Sequence, residues 1–106
     1  MRLEGKVTLI SGGARGIGAA MSTRFAAEGA HVCIGDIEDA AGIALAETIQ
    51  AAGQDARFMR LDVIDSAAWQ AAVDALVADF GGVDILVNNA GTVSYTHLTL
   101  PTIYSV

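Results

Sequence analysis

Cysteine is nearly absent: Cys33 stands alone among 106 residues, so no disulfide can form within the chain. A lone thiol fits a reducing compartment, and a cytoplasmic location is the expectation. Basic residues are also few. Six Lys and Arg stand against twelve Asp and Glu, giving a net charge of −6. That balance disfavours nucleic acid or an anionic membrane surface as partner. No apolar run approaches the roughly 18 residues that cross a bilayer. The run Val7-Thr8-Leu9-Ile10, behind the acid-bearing Met1–Lys6, is too short for a signal-peptide core. What is present is a hydrophobic content of 53%, enough for one modest core in one domain. A small-molecule enzyme is the class left open.

The pattern alternates strand and helix. Val7–Ile10 is a β-rich run that breaks into Ser11-Gly12-Gly13. A helical segment follows, with Ile17, Ala20, Met21 and Phe25 on one face, and Gly29 stops it. His31–Gly35 reads as a second strand ending at Asp36. The next helix runs from Asp39 to Ala52 with the stripe Ala41, Leu45, Thr48, Ile49 and Ala52, closed by Gly53. Ala56–Leu61 is a third strand, and Asp65 or Ser66 caps the helix after it. That helix carries Trp69, Val73, Leu76, Val77 and Phe80 as its stripe and ends at Gly81-Gly82. Val83–Val87 is a fourth strand. Strands separated by helices imply right-handed crossovers and an α/β, Rossmann-type doubly wound parallel sheet, here truncated after the fourth strand. The expected strand order is 3-2-1-4.

Ser11-Gly12-Gly13-Ala14-Arg15-Gly16-Ile17-Gly18 sits between a strand and a helix. A helix start offers free N–H groups and partial positive charge, which attract a pyrophosphate. Glycine there removes the Cβ atoms that would hold phosphates away and permits positive φ. Asp36 ends the next strand, near the roughly 20-residue offset of a ribose-binding carboxylate.

The spacing Gly12-x-x-x-Gly16-x-Gly18 differs from the general dinucleotide fingerprint. With Ser11 in front, it resembles the T-G-x-x-x-G-x-G signature of the classical short-chain dehydrogenase/reductases, Ser replacing Thr. Asn88-Asn89-Ala90-Gly91 matches that family's N-N-A-G motif, and Asp62-Val63 its acidic position beside adenine. The resemblance runs from Leu3 to about Gly91. It implies that Ser11, Gly12, Gly16, Ile17 and Gly18 form the pyrophosphate loop and that Asp36, followed by Ile37, holds the adenosine ribose. It further implies that Asp62 and Val63 flank adenine, that Asn88, Ala90 and Gly91 line the cleft, and that Asn89 ties backbone together. The implied activity is NAD(P)-dependent hydride transfer between a small alcohol and its carbonyl compound, in a full-length homo-oligomer. A non-catalytic nucleotide-binding or regulatory module of the same fold is the alternative.

Asp36 and Arg15 pull the cofactor choice in opposite directions. A carboxylate at the ribose accepts from both hydroxyls of NAD and repels the 2′-phosphate of NADP, at about 4 kcal/mol for charges 4 Å apart at an effective dielectric of 20. Arg15 resembles a position where NADP-binding relatives carry a basic residue. NAD is the expected cofactor, because Asp36 meets the hydroxyl itself whereas Arg15 reaches flexibly. His31 and His97 lack partners at metal-ligand spacing. Cys33 reads as a buried, inert thiol, Trp69 as core, and Glu38 and Asp39 as a solvated helix start.

In the resembling family a serine and a Tyr-x-x-x-Lys pair do the chemistry. Here no lysine follows Lys6, and neither Tyr95 nor Tyr104 has one four residues on. No catalytic residue is assigned, and this chain is expected to be inactive. Val93-Ser94-Tyr95-Thr96-His97-Leu98-Thr99-Leu100-Pro101-Thr102 reads as a translated transposon-end adapter of sequencing libraries, with a β-prone C-terminal extension as the alternative. The expected division is therefore a cofactor-binding half, 1–91, and a non-native tail, 92–106.

Overall fold

The computed structural model describes residues 2–62 and 64–89. Val63, Ala90, Gly91 and the segment 92–106 lie outside them. The described elements are β1 (Val7–Ser11), α1 (Gly16–Ala27), β2 (His31–Asp36), α2 (Asp39–Ala51), β3 (Ala56–Arg60), α3 (Ser66–Phe80) and β4 (Ile85–Asn88). The strands pair in parallel in the order β3-β2-β1-β4. This is the Rossmann-type arrangement implied by the alternation of elements.

Alternate side chains of a strand go to opposite faces, and β1 shows the consequence. Val7 and Leu9 join Trp69, Val73 and Leu76 of α3 on one side of the sheet. Ile10 joins Ala26 of α1 and Ala46 and Ile49 of α2 on the other. With both faces covered, every residue of β1 is buried, which is why the strand reads as a nearly unbroken apolar run.

The helix ends follow local chemistry. The Asp65 carboxylate accepts the N–H groups of Ala67 and Ala68 at 3.0 and 3.2 Å, a cap worth about 1 kcal/mol. Gly81, at φ 87°, closes α3 by donating to the Val77 carbonyl. The start of α1 has no side-chain cap; Arg15 stands at its N-cap position.

Three expected stripes shift. In α1 the buried positions are Gly18, Ser22 and Ala26, while Ile17 is 73% exposed and Met21 and Phe25 pack at the margin. In α2 they are Gly42, Ala46 and Ile49, and Thr48 and Ala52 face solvent. In α3, Ala72 replaces Val77 and Phe80 in the buried set. Small residues win because they let the helix backbone approach the sheet. A Cβ on Gly42 would meet the Phe58 ring at 2.1 Å. The fourth strand begins later than the apolar run suggested, because Asp84 pairs with Val7 through both backbone and side chain.

Candidate functional site

Ser11 ends β1 between Gly35 of β2 and Asn88 of β4, its register partners. The chain order reverses about this strand: β1 runs outward through β2 to β3 on one side, and β4 lies on the other. In open parallel sheets, the crevice outside the carboxyl ends of the strands at such a point is where ligands bind.

The turn leaving β1 is shaped by two left-handed residues, Gly12 at φ 64° and Gly16 at φ 54°, conformations that cost other L-residues about 1–2 kcal/mol. Gly18 meets a different need. A Cβ there would lie 1.9 Å from the Gly12 carbonyl oxygen, so only glycine lets α1 start this close to the turn. Ser22 braces the assembly from beneath. Its buried hydroxyl lies 2.8 Å from the Gly18 carbonyl and 3.1 Å from that of Gly13. No motif in the sequence marks Ser22. The available signal was a hydroxyl four residues after Gly18, on the same helix face.

Asp36 closes β2 and is 9% exposed. Its Oδ2 accepts the Ala14 N–H at 3.1 Å and its Oδ1 the Glu38 N–H at 3.0 Å. The carboxylate is thus fixed by the glycine turn on one side and the entry to α2 on the other, with further lone pairs on both oxygens. Glu38 and Asp39 are exposed, as expected of a solvated helix start, and each also holds an arginine. Arg15 pairs with Glu38 at 3.2 Å, and Arg60 reaches Asp39 Oδ1 at 2.9 Å and the Ile37 carbonyl at 3.0 Å. The Ile37 side chain itself is exposed.

At the end of β4, Ser11 Oγ lies 3.2 Å from both the Val87 carbonyl and Asn88 Oδ1 and accepts the Asn89 N–H at 3.1 Å. Asn89 Nδ2 donates to the Gly12 carbonyl at 3.2 Å. These contacts lock β4 to the glycine turn. Asp62 follows β3 and is exposed, its Oδ1 accepting the Ile64 N–H at 3.2 Å. Strand polarity therefore brings Ser11, Gly12, Arg15, Gly16, Ile17, Gly18, Asp36, Ile37, Asp62 and Asn88 to the carboxyl end of the sheet. Val63, Ala90 and Gly91 are outside the described residues.

A cavity of about 130 Å³ opens at the other end, lined by His31, Cys33, Asp55, Arg57, Leu76 and Phe80 among others. The Phe80 ring stacks on His31 with centroids 4.7 Å apart, and the Arg57 guanidinium lies 4.9 Å from its centre. Burial pushes the Cys33 thiol up from 9.0 to about 12, so the thiol is protonated and inert at neutral pH. The space is smaller than the roughly 300 Å³ at which small-molecule sites begin, and the chemistry-bearing loops are elsewhere.

The glycine turn, the strand order and the Ser11–Asn89 lock coincide with a sequence match. Residues 6–103 fit the family model of the short chain dehydrogenases. The chain belongs to this family. It is 52% identical over 92 residues to a 2,5-dichloro-2,5-cyclohexadiene-1,4-diol dehydrogenase of Sphingobium indicum, covering 87% of this chain and 37% of that one. It is 53% identical over 90 residues to a 3-alpha-(or 20-beta)-hydroxysteroid dehydrogenase of Mycobacterium tuberculosis, covering 85% and 34%. Among solved structures, a short-chain dehydrogenase/reductase from Serratia marcescens superposes with a TM-score of 0.81 at 42% identity, over 89% of this chain and 39% of that one. The chain thus spans about a third of the length of the curated relatives it matches. Among the described residues, no helix of this short chain dehydrogenase segment is long and apolar enough to cross a membrane.

Proposed function

We propose that this segment is the cofactor-holding part of an NAD-dependent oxidoreductase that interconverts an alcohol and a carbonyl compound. Asp36 carries the reading. A carboxylate that is 9% exposed and held by two backbone N–H groups is rigidly placed at the carboxyl end of β2. It accepts hydrogen bonds from the vicinal ribose hydroxyls of NAD and repels a 2′-phosphate in their place.

The glycine turn supports the same reading. Gly12 ahead of the uncapped start of α1, and Gly16 at that start, present backbone without side chains, where N–H groups and the helix dipole favour a pyrophosphate. Ile17 lies at the mouth of the turn, Asp62 and Val63 are assigned to adenine, and Asn88, Ala90 and Gly91 to the wall of the cleft. When bound, the nicotinamide supplies or accepts the hydride. The residues of this chain bind and orient it, and proton transfer falls to groups beyond them. The two curated relatives are named for oxidising a cyclic diol and a hydroxysteroid, which supports an alcohol as substrate class.

The test is a fluorescence titration of the whole protein that carries this segment. NADH is expected to bind more tightly than NADPH, and Asp36→Ala to narrow the gap. Equal affinities in the unmutated protein would remove the basis for the charge argument.

A further inference from the structure

Arg15 leaves the glycine turn and meets Glu38, its Nη2 lying 3.2 Å from Oε2. Glu38 in turn donates its backbone N–H to Asp36 Oδ1 at 3.0 Å. These two contacts set a guanidinium, and the carboxylate that holds it, beside the carboxylate assigned to the ribose. A guanidinium in that corner is the natural partner of a phosphate monoester, through paired N–H···O bonds.

We propose that Glu38 is a second determinant of cofactor choice, acting as a latch that occupies Arg15 and keeps it from a 2′-phosphate. The inference rests on the assignment of Asp36 to the ribose. Among the described residues, Glu38 is the one carboxylate in an ion pair with Arg15. Arg60 differs, because its Nη1 is shared between the Asp39 carboxylate and the Ile37 carbonyl, so losing one acceptor leaves the other. Discrimination against NADP then has two parts. Asp36 repels the phosphate, and Glu38 withholds the cation that would attract it. Replacing Asp36 alone leaves the latch closed.

The latch is a surface pair, its side chains 70% and 49% exposed. Such pairs are worth at most about 1 kcal/mol, so releasing Arg15 improves phosphate binding by about three- to fivefold. Glu38 makes no side-chain cap bond to α2, so Glu38→Gln leaves the helix start intact.

The experiment is calorimetric titration of the whole protein with 2′,5′-ADP and 5′-AMP, which needs no turnover. Glu38→Gln is expected to tighten 2′,5′-ADP about three- to fivefold while leaving 5′-AMP unchanged. In an Arg15→Ala background the same substitution is expected to give no gain. An equal gain without Arg15 would reduce the effect to loss of one negative charge and overturn the latch. No gain with Arg15 present would overturn it as well. If the unmutated protein binds neither nucleotide, the cofactor reading itself fails and takes this inference with it. Binding of 5′-AMP with an unresponsive Glu38→Gln removes the latch alone.

Discussion

A Cβ on Gly18 would stand 1.9 Å from the carbonyl oxygen of Gly12, so the first turn of α1 rests directly on the turn that leaves β1. Gly16 faces open space but holds φ at 54°. The two glycines therefore fail differently. Gly18→Ala forces turn and helix apart and is expected to cost about 1–3 kcal/mol or more, with at least a tenfold loss of NADH affinity. Gly16→Asn is expected to be nearly neutral in stability, since asparagine tolerates the left-handed region, whereas Gly18→Asn fails as Gly18→Ala does. Thermal melts of the three variants check this, and equal losses at both positions would contradict it.

Thr8 carries the one buried side-chain oxygen without a partner found among the described residues. It is the second residue of β1, is fully buried and, by strand alternation, turns to the same face as Ile10. Burying a hydroxyl without a hydrogen bond costs about 1–3 kcal/mol, and valine fills the same space without it. Thr8→Val is expected to stabilise the protein by about 1 kcal/mol, raising Tm by about 2–4 °C in a protein of relatives' size. A fall in Tm would mean that the hydroxyl has a partner after all.

How legible each feature was depended on how local its cause is. The strands and their order could be read because β1 and β2 are apolar runs ending in glycine and acid, and right-handed crossovers leave few topologies. The helix faces could not be read from side-chain size. Gly18, Ser22 and Gly42 are buried because they are small, and the need for smallness is set by Gly12 and Phe58 across the interface. Asp36 stood out by its offset from the glycines, but its clamp by Ala14 is a contact across 22 residues. The Arg15–Glu38 and Arg60–Asp39 pairs also join distant positions. No periodicity announces them, and an acidic helix start looks the same whether or not an arginine folds onto it.

Cys33 gives the chain a signature at high pH. Burial raises its thiol from 9.0 to about 12, so between those values the unfolded chain releases a proton that the folded chain keeps. Its contribution to stability is full below pH 9 and is lost as pH rises toward 12, by at most about 1.4 kcal/mol per pH unit. Denaturation curves at pH 8, 9 and 10 are expected to show this loss, and Cys33→Ala to lessen it. A thiol reagent at pH 8 is expected to label Cys33 no faster than global unfolding. Rapid labelling of the native protein would refute the burial.

Reducing a carbonyl builds negative charge on its oxygen, and oxidising an alcohol requires removing its proton, so a group of suitable pKa must stand beside the hydride path. Among the described residues there is no tyrosine, and the lone lysine, Lys6, precedes β1 at the amino end of the sheet, opposite the glycine turn. Asp36, the one buried carboxylate near the site, is held by Ala14 and Glu38 and assigned to the adenosine ribose, away from the nicotinamide. General acid–base help is typically worth about 10²–10⁴ in rate, and the loss of substrate positioning multiplies the deficit. Beyond the described residues, neither Tyr95 nor Tyr104 has a lysine four residues on, so the 106-residue chain is expected to bind NADH weakly and to show no change in NADH absorbance with secondary alcohols or ketones. The same segment within a whole short chain dehydrogenase is expected to turn over. Turnover by the 106-residue chain alone would place a proton-transfer group within it and overturn the assignment of that step to residues beyond it.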